Sequence, residues 1–152
     1  ALMINPFVKF KGLEVFGTYE IMSGNSQVEN GEIQSSDPAQ PALSKLDDRS
    51  FNQYAVDGLY RFANNKMYIG AKYNVAEGDL AFGQSTTQPA ISQGIRDNVK
   101  VERTAIAAGW FITPNILMKA EYVTQKYLDF PAADIRNNGK FEGFVVEGII
   151  GF

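Results

Sequence analysis

The chain has 152 residues, a net charge of −3 and no cysteine or histidine. Disulfides, thiolate or imidazole metal sites and Ser-His-Asp catalysis are therefore excluded from these residues alone. The acidic balance, with a pI near 5.0, argues against nucleic acid as a partner.

Although 45% of the residues are hydrophobic, mean hydropathy is −0.18. No apolar run approaches the roughly 18 residues of a membrane helix. The apolar residues instead recur at every second position, the period of a two-faced strand. Residues 2–10 and 13–22 form the first such pair, turning at Lys11-Gly12. Leu13, Val15, Tyr19 and Ile21 oppose Glu14, Thr18 and Glu20. A polar stretch, 23–50, follows. Tyr54, Val56, Gly58, Tyr60 and Phe62 then alternate with Gln53, Asp57 and Arg61. Past a turn at 63–66, Met67, Ile69, Ala71, Tyr73 and Val75 alternate with Tyr68, Lys72 and Asn74. A second polar stretch covers 78–98. The strand predicted near 101–112 sets Thr104, Ile106, Ala108, Trp110 and Ile112 against Arg103, Ala105, Ala107, Gly109 and Phe111. A turn at 113–115, marked by Pro114, leads to a strand at 117–125, and a third polar stretch spans 129–140. The last strand places Phe144, Val146, Gly148, Ile150 and Phe152 on one face.

The expectation is seven strands joined by three tight turns and three long polar loops. Long loops on one side and short turns on the other are the organisation of a transmembrane antiparallel up-and-down β-barrel. The apolar face is then expected to meet lipid. Its aromatics fall into two groups, predicted as membrane-interface girdles: Phe10, Phe62, Trp110 and Phe152 toward the short turns, and Tyr19, Tyr54, Tyr73, Tyr122 and Phe144 toward the long loops. The opposite face is predicted to line a lumen with Lys9, Glu14, Glu20, Asp57, Arg61, Lys72, Arg103, Lys119, Glu121 and Glu147. These charges balance, which points to a hydrated wall of cross-strand ion pairs more than to a filter for one sign of ion.

The end of the chain, Phe144-Val145-Val146-Glu147-Gly148-Ile149-Ile150-Gly151-Phe152, resembles the C-terminal signature of Gram-negative outer-membrane proteins. The hairpin from Asn5 to Gly17 more loosely resembles porin-like proteins of the Bacteroidetes type. The resemblance implies an outer-membrane barrel whose last strand, ending at Phe152, is read by the family's assembly machinery. It also implies a passive channel for small hydrophilic solutes; no cofactor is expected, and the lack of histidine speaks against an enzyme. A structural barrel subunit of a larger outer-membrane complex is the alternative, and further outer-membrane proteins or an oligomer are the expected partners beside lipid.

Anchoring Phe152 at the periplasmic rim orients every strand. The first strand then starts on the extracellular side, and seven strands break the even count of single-chain bacterial barrels. The chain is therefore expected to be the C-terminal part of one barrel domain, with the remaining strands upstream or in another chain. A strand hidden near 80–82 or 28–33 is the competing explanation. Other chemistry is thin. Glu14 and Glu20 lie too far apart on one strand, at about 20 Å, to form a carboxylate dyad. The acidic residues Glu29, Glu32, Asp37, Asp47 and Asp48 fit no EF-hand spacing, so no metal is expected.

Overall fold

The computed structural model describes residues 1–25, 48–80 and 97–152. Eight strands form one antiparallel sheet: β1 (Leu2–Ile4), β2 (Phe7–Phe10), β3 (Leu13–Gly24), β4 (Arg49–Phe62), β5 (Met67–Asp79), β6 (Asn98–Thr113), β7 (Ile116–Leu128) and β8 (Lys140–Ile150). The order is β1-β3-β4-β5-β6-β7-β8, with β2 also on β3, so each strand lies beside its neighbour in sequence. The sheet is up-and-down and open: β1 and β2 pair only with β3, and β8 pairs only with β7.

The expected count of seven is corrected to eight, for a local reason. The first predicted strand is interrupted at Asn5-Pro6, where proline has no N–H to give the ladder. Pairing continues through the break, because the Pro6 carbonyl accepts from the Gly17 N–H at 2.8 Å. A Cβ on Gly17 would lie 2.9 Å from Pro6 Cγ, so this approach needs glycine. Thus β1 and β2 together form one broken edge strand, and the sheet has seven strand positions.

The turns explain the tight register. Lys11 and Gly12 both have positive φ, 43° and 86°, and Phe10 faces Leu13 directly. Two left-handed central residues suit the twist of the flanking strands. Ala63, Asn64 and Asn65 also take positive φ between Phe62 and Met67. The third tight turn narrows to Pro114-Asn115, between Thr113 and Ile116, and the ladder shifts register between Phe111 and Thr113.

Several strands outrun their predicted ends. β6 and β7 have 16 and 13 residues and extend on the long-loop side. β8 starts at Lys140 and stops at Ile150, so Phe152 lies beyond the ladder and not inside it. The possible strands near 80–82 and 28–33 fall, apart from Leu80, outside the described residues.

No second described layer packs on either face of the sheet; only the loop after β7 folds against it, with the Phe130 ring edge-on to Tyr127 at 5.8 Å. Among the described residues the buried apolar side chains are Ala55, Val75, Val99, Ala105, Val123 and Phe130. A single sheet must bury an apolar face against another layer or another medium. Here that face is bare: Val56, Ile69, Ile106, Trp110, Val146 and Ile150 are each about half exposed or more.

Candidate functional site

Paired residues in an antiparallel ladder point to the same side. The register therefore sorts every predicted residue. Glu14 faces Leu59, and Glu20 faces Gln53. Asp57 faces Lys72, and Arg61 faces Tyr68. Arg103 lies between Asn74 and Gln125, Lys119 faces Glu147, and Lys9 faces Glu14. All ten predicted charges, Glu121 included, share one face.

That face is a mosaic of short ion-paired groups. Glu14 accepts from Lys9 at 2.8 Å and from Arg61 at 3.3 Å. Lys72 meets Asp57 at 3.4 Å. Lys119 meets Glu121 at 2.8 Å and Glu147 at 3.5 Å. Such partly exposed pairs contribute at most about 1 kcal/mol each. Their larger effect is to cancel charge locally. Glu20 and Arg103 are left without an ion pair among the described residues.

Sequence reasoning missed three features of this face. First, Tyr68 lies flat over Gly109, where an added Cβ would fall inside the ring. Tyr68 also touches Phe111 at 6.4 Å between ring centroids, and the Arg61 guanidinium lies 6.0 Å from its centroid. The cross-strand pair of tyrosine and glycine was the available signal, but it is visible only once the register is known. Second, the face is apolar at both sheet edges: Phe7 faces Phe16 at one, and Phe141, Val145 and Ile149 lie along β8 at the other. Third, small side chains (Gly70, Ala105 and Ala107) floor a depression of about 570 Å³. Its sides include Asp57, Lys72, Arg103, Lys119 and Glu121.

The other face carries eight of the nine predicted aromatics; Phe152 follows β8, beyond the ladder. Tyr19 faces Tyr54, whose ring contacts Tyr73 at 6.5 Å. Tyr122 faces Phe144, and Tyr60 stacks on Phe62 at 6.3 Å, widening the short-turn group. The two groups run obliquely across the hydrogen-bonded rows. From Tyr54 the row passes through Val75, Glu102 and Lys126 to Lys140, four residues before Phe144. From Phe62 it passes through Met67, Trp110 and Met118 to Gly148, four residues before Phe152. Between β4 and β8 both aromatic groups are therefore displaced by four residues over four strand steps, an average of one per strand in the same direction, while Trp110 keeps the row of Phe62 and Tyr19 that of Tyr54. On this face no charged strand residue lies between them. Glu77, Asp79, Lys100, Glu102, Lys126, Lys140 and Glu142 all lie on the long-loop side.

The described long loop, between β7 and β8, is held by its own contacts. Arg136 grips Asp134 with two side-chain hydrogen bonds of 2.9 and 2.6 Å, and its N–H adds a third at 2.8 Å. These bonds, led by the guanidinium's, hold the Asp134 carboxyl down at about 2 and raise Arg136. Arg136 also covers the buried Phe130 ring at 4.5 Å, and Asn137 donates to the Phe130 carbonyl. Ile135 stands fully exposed at the tip.

Among the described residues no acidic cluster is arranged to hold a metal ion. Among the described residues no helix is long and apolar enough to cross a membrane, which says nothing of crossing by strands. Comparison with family models, curated proteins and solved structures finds no match to this chain.

Proposed function

We propose that this sheet is one wall of an outer-membrane β-barrel, apolar face to lipid and charged face to water, that conducts small hydrophilic solutes. The observation that carries the reading is the uncharged oblique band between the two aromatic rows. The average slip of one residue, about 3.3 Å, per strand spacing of about 4.8 Å between β4 and β8 corresponds to strands tilted by about 35°. Barrel strands tilt by about 35–45° to the membrane normal. On β4 the rows are eight residues apart, Tyr54 to Phe62, and eight residues also separate Phe144 on β8 from Phe152, two residues past its end. At that tilt the band is about 22 Å high, against about 25 Å for the apolar belt of such barrels. A soluble sheet has no reason to cut its aromatic rows and its charge boundary at one common slope.

The charged face supports the aqueous side. Its pairs leave no large net field, which suits unspecific passage of polar solutes. Closure needs more strands than the sheet holds. The edge strand β1/β2 and β8 run in the same direction, so joining them directly would make a parallel seam. An odd number of additional strands gives an all-antiparallel wall and satisfies edge groups that lipid cannot. Whether those strands come from the same polypeptide or from a partner separates the channel reading from the scaffold reading.

The test is reconstitution of the full-length protein from detergent into a planar bilayer. Discrete, ohmic conductance steps are expected. A folded, detergent-dependent barrel that never conducts would overturn the channel reading, and recovery of the folded protein in the aqueous fraction without detergent would overturn the membrane reading as well.

A further inference from the structure

The charged face is balanced in total but not at every point. Within the depression floored by Gly70, Ala105 and Ala107, both carboxylates are already engaged: Asp57 by Lys72 and Glu121 by Lys119. Arg103 is the third cation there, and it is exposed. It has no ion pair among the described residues. Its neighbours in the row are two amides, Asn74 on β5 and Gln125 on β7. Paired side chains stand about 4.5–5.5 Å apart at Cβ, close enough to serve one small ligand together. Gln125 is oriented by its hydrogen bond to the Tyr127 hydroxyl at 2.6 Å.

We propose that Arg103 with Asn74 and Gln125 forms a weak binding station for small hydroxylated anions, such as sugar acids, on the solute-facing wall. The inference rests on the barrel reading for its access to solute, but the site itself is a property of this face. A guanidinium presents a planar fork of donors that matches a carboxylate in two hydrogen bonds. The flanking amides supply donors and acceptors for adjacent hydroxyls. The small floor makes room: the depression, lined by Arg103 and Asn74 with Gln125 beside it across the ladder, has about 570 Å³, within the range of about 300–1,000 Å³ typical of small-molecule sites. The charged side chains that line the depression sum to one positive charge, with Glu147 outside the lining on the far side of Lys119, so the station favours monoanions. Weak binding is what a conducting path requires, because a solute must leave as well as enter.

Two measurements on the full-length protein test this. The first is gluconate binding in detergent micelles, read by ligand-observed NMR, which needs no conduction. The second is the reversal potential of single channels under a potassium chloride gradient. The wild type is expected to bind gluconate and to lean toward anions. Arg103→Gln removes a charge-assisted contact, so affinity should fall by about tenfold and the reversal potential should move toward cations. Arg103→Lys keeps the charge without the fork, so it should hold the reversal potential near wild type and recover only part of the affinity. Arg103-dependent binding by a protein that does not conduct would uphold the station and overturn the channel reading. Conduction with gluconate binding absent, or indifferent to Arg103→Gln, would overturn the station and leave the channel reading standing.

Discussion

The two faces of the sheet solve opposite problems with the same backbone. On the charged face Lys9, Arg61, Lys72 and Lys119 each have a carboxylate within reach and Arg103 has none among the described residues, and the small apolar residues Ala55, Ala105 and Val123 are shielded by their neighbours. On the other face large apolar side chains stand open with nothing described against them. Water solvates charges and penalises apolar surface at roughly 25 cal/mol per Å². The first face therefore needs no cover, whereas the second needs one along its whole oblique band. The barrel proposed above accounts for the difference by covering that face with a medium of two parallel boundaries in place of a second sheet.

A charge on the bare face tests this contrast most severely. Ile106→Arg should destabilise the protein in lipid vesicles by about 2–4 kcal/mol, in urea titrations, as expected for a cation deep in the apolar zone. Gln125→Arg, on the charged face of the neighbouring strand, should cost less than about 1 kcal/mol. Equal costs would mean that both faces meet water.

The next effect belongs to the stacked pair on the charged face. Gly109→Ala should expel the Tyr68 ring and cost about 1–3 kcal/mol. Adding Tyr68→Ala should recover part of that cost, giving a non-additive cycle in the same titrations. Strict additivity would show that the ring does not depend on the glycine.

Glu14→Gln removes the partner of both Lys9 and Arg61. Its effect should be smaller than that of Gly109→Ala and should shrink further in high salt, because exposed pairs are screened. A loss that persists undiminished in high salt would place this group away from water.

The smallest effect is local and lies outside the sheet. The Asp134 carboxyl is held down at about 2 by Arg136. A depressed carboxyl stabilises the fold above its ordinary value and loses that contribution as pH falls through the lowered one. Hydrogen exchange at the Arg136 amide should therefore accelerate, relative to the strand amides, between about pH 4 and 2. Asp134→Asn should show the faster exchange already at neutral pH. A pH-independent protection ratio would contradict the role of this pair.

The alternation of Leu13, Val15, Tyr19 and Ile21 with Glu14, Thr18 and Glu20 was enough to predict an antiparallel meander, because a half-wet strand must repeat every two residues. The same period sorted the ten charges onto one face. Three things lay beyond it. The break at Asn5-Pro6 follows from a backbone donor that hydropathy does not count. The extra length of β6 and β7 carries Lys100 and Lys126 on the otherwise apolar face, where alternation fails. The partners of Arg103, and its lack of a carboxylate, depend on a register between strands far apart in sequence. The oblique course of the aromatic rows has the same origin: each strand shows its own aromatics, but only the pairing shows the slip.

The central claim is that the bilayer cuts the sheet along that slip. Gly58 and Gly148 lie midway between the aromatic rows on β4 and β8, and a Cβ at either meets no close contact. The chain has no cysteine, so Gly58→Cys, Gly148→Cys and Phe144→Cys each provide one site for a spin label. Immersion depth in lipid vesicles can then be read from relaxation by oxygen and by a water-soluble nickel chelate. Labels at 58 and 148 should lie equally deep near the bilayer centre, with the label at 144 much shallower, although Phe144 and not Gly148 shares a hydrogen-bonded row with Gly58. Equal depth at 58 and 144, or free access of the nickel chelate to all three, would contradict the account.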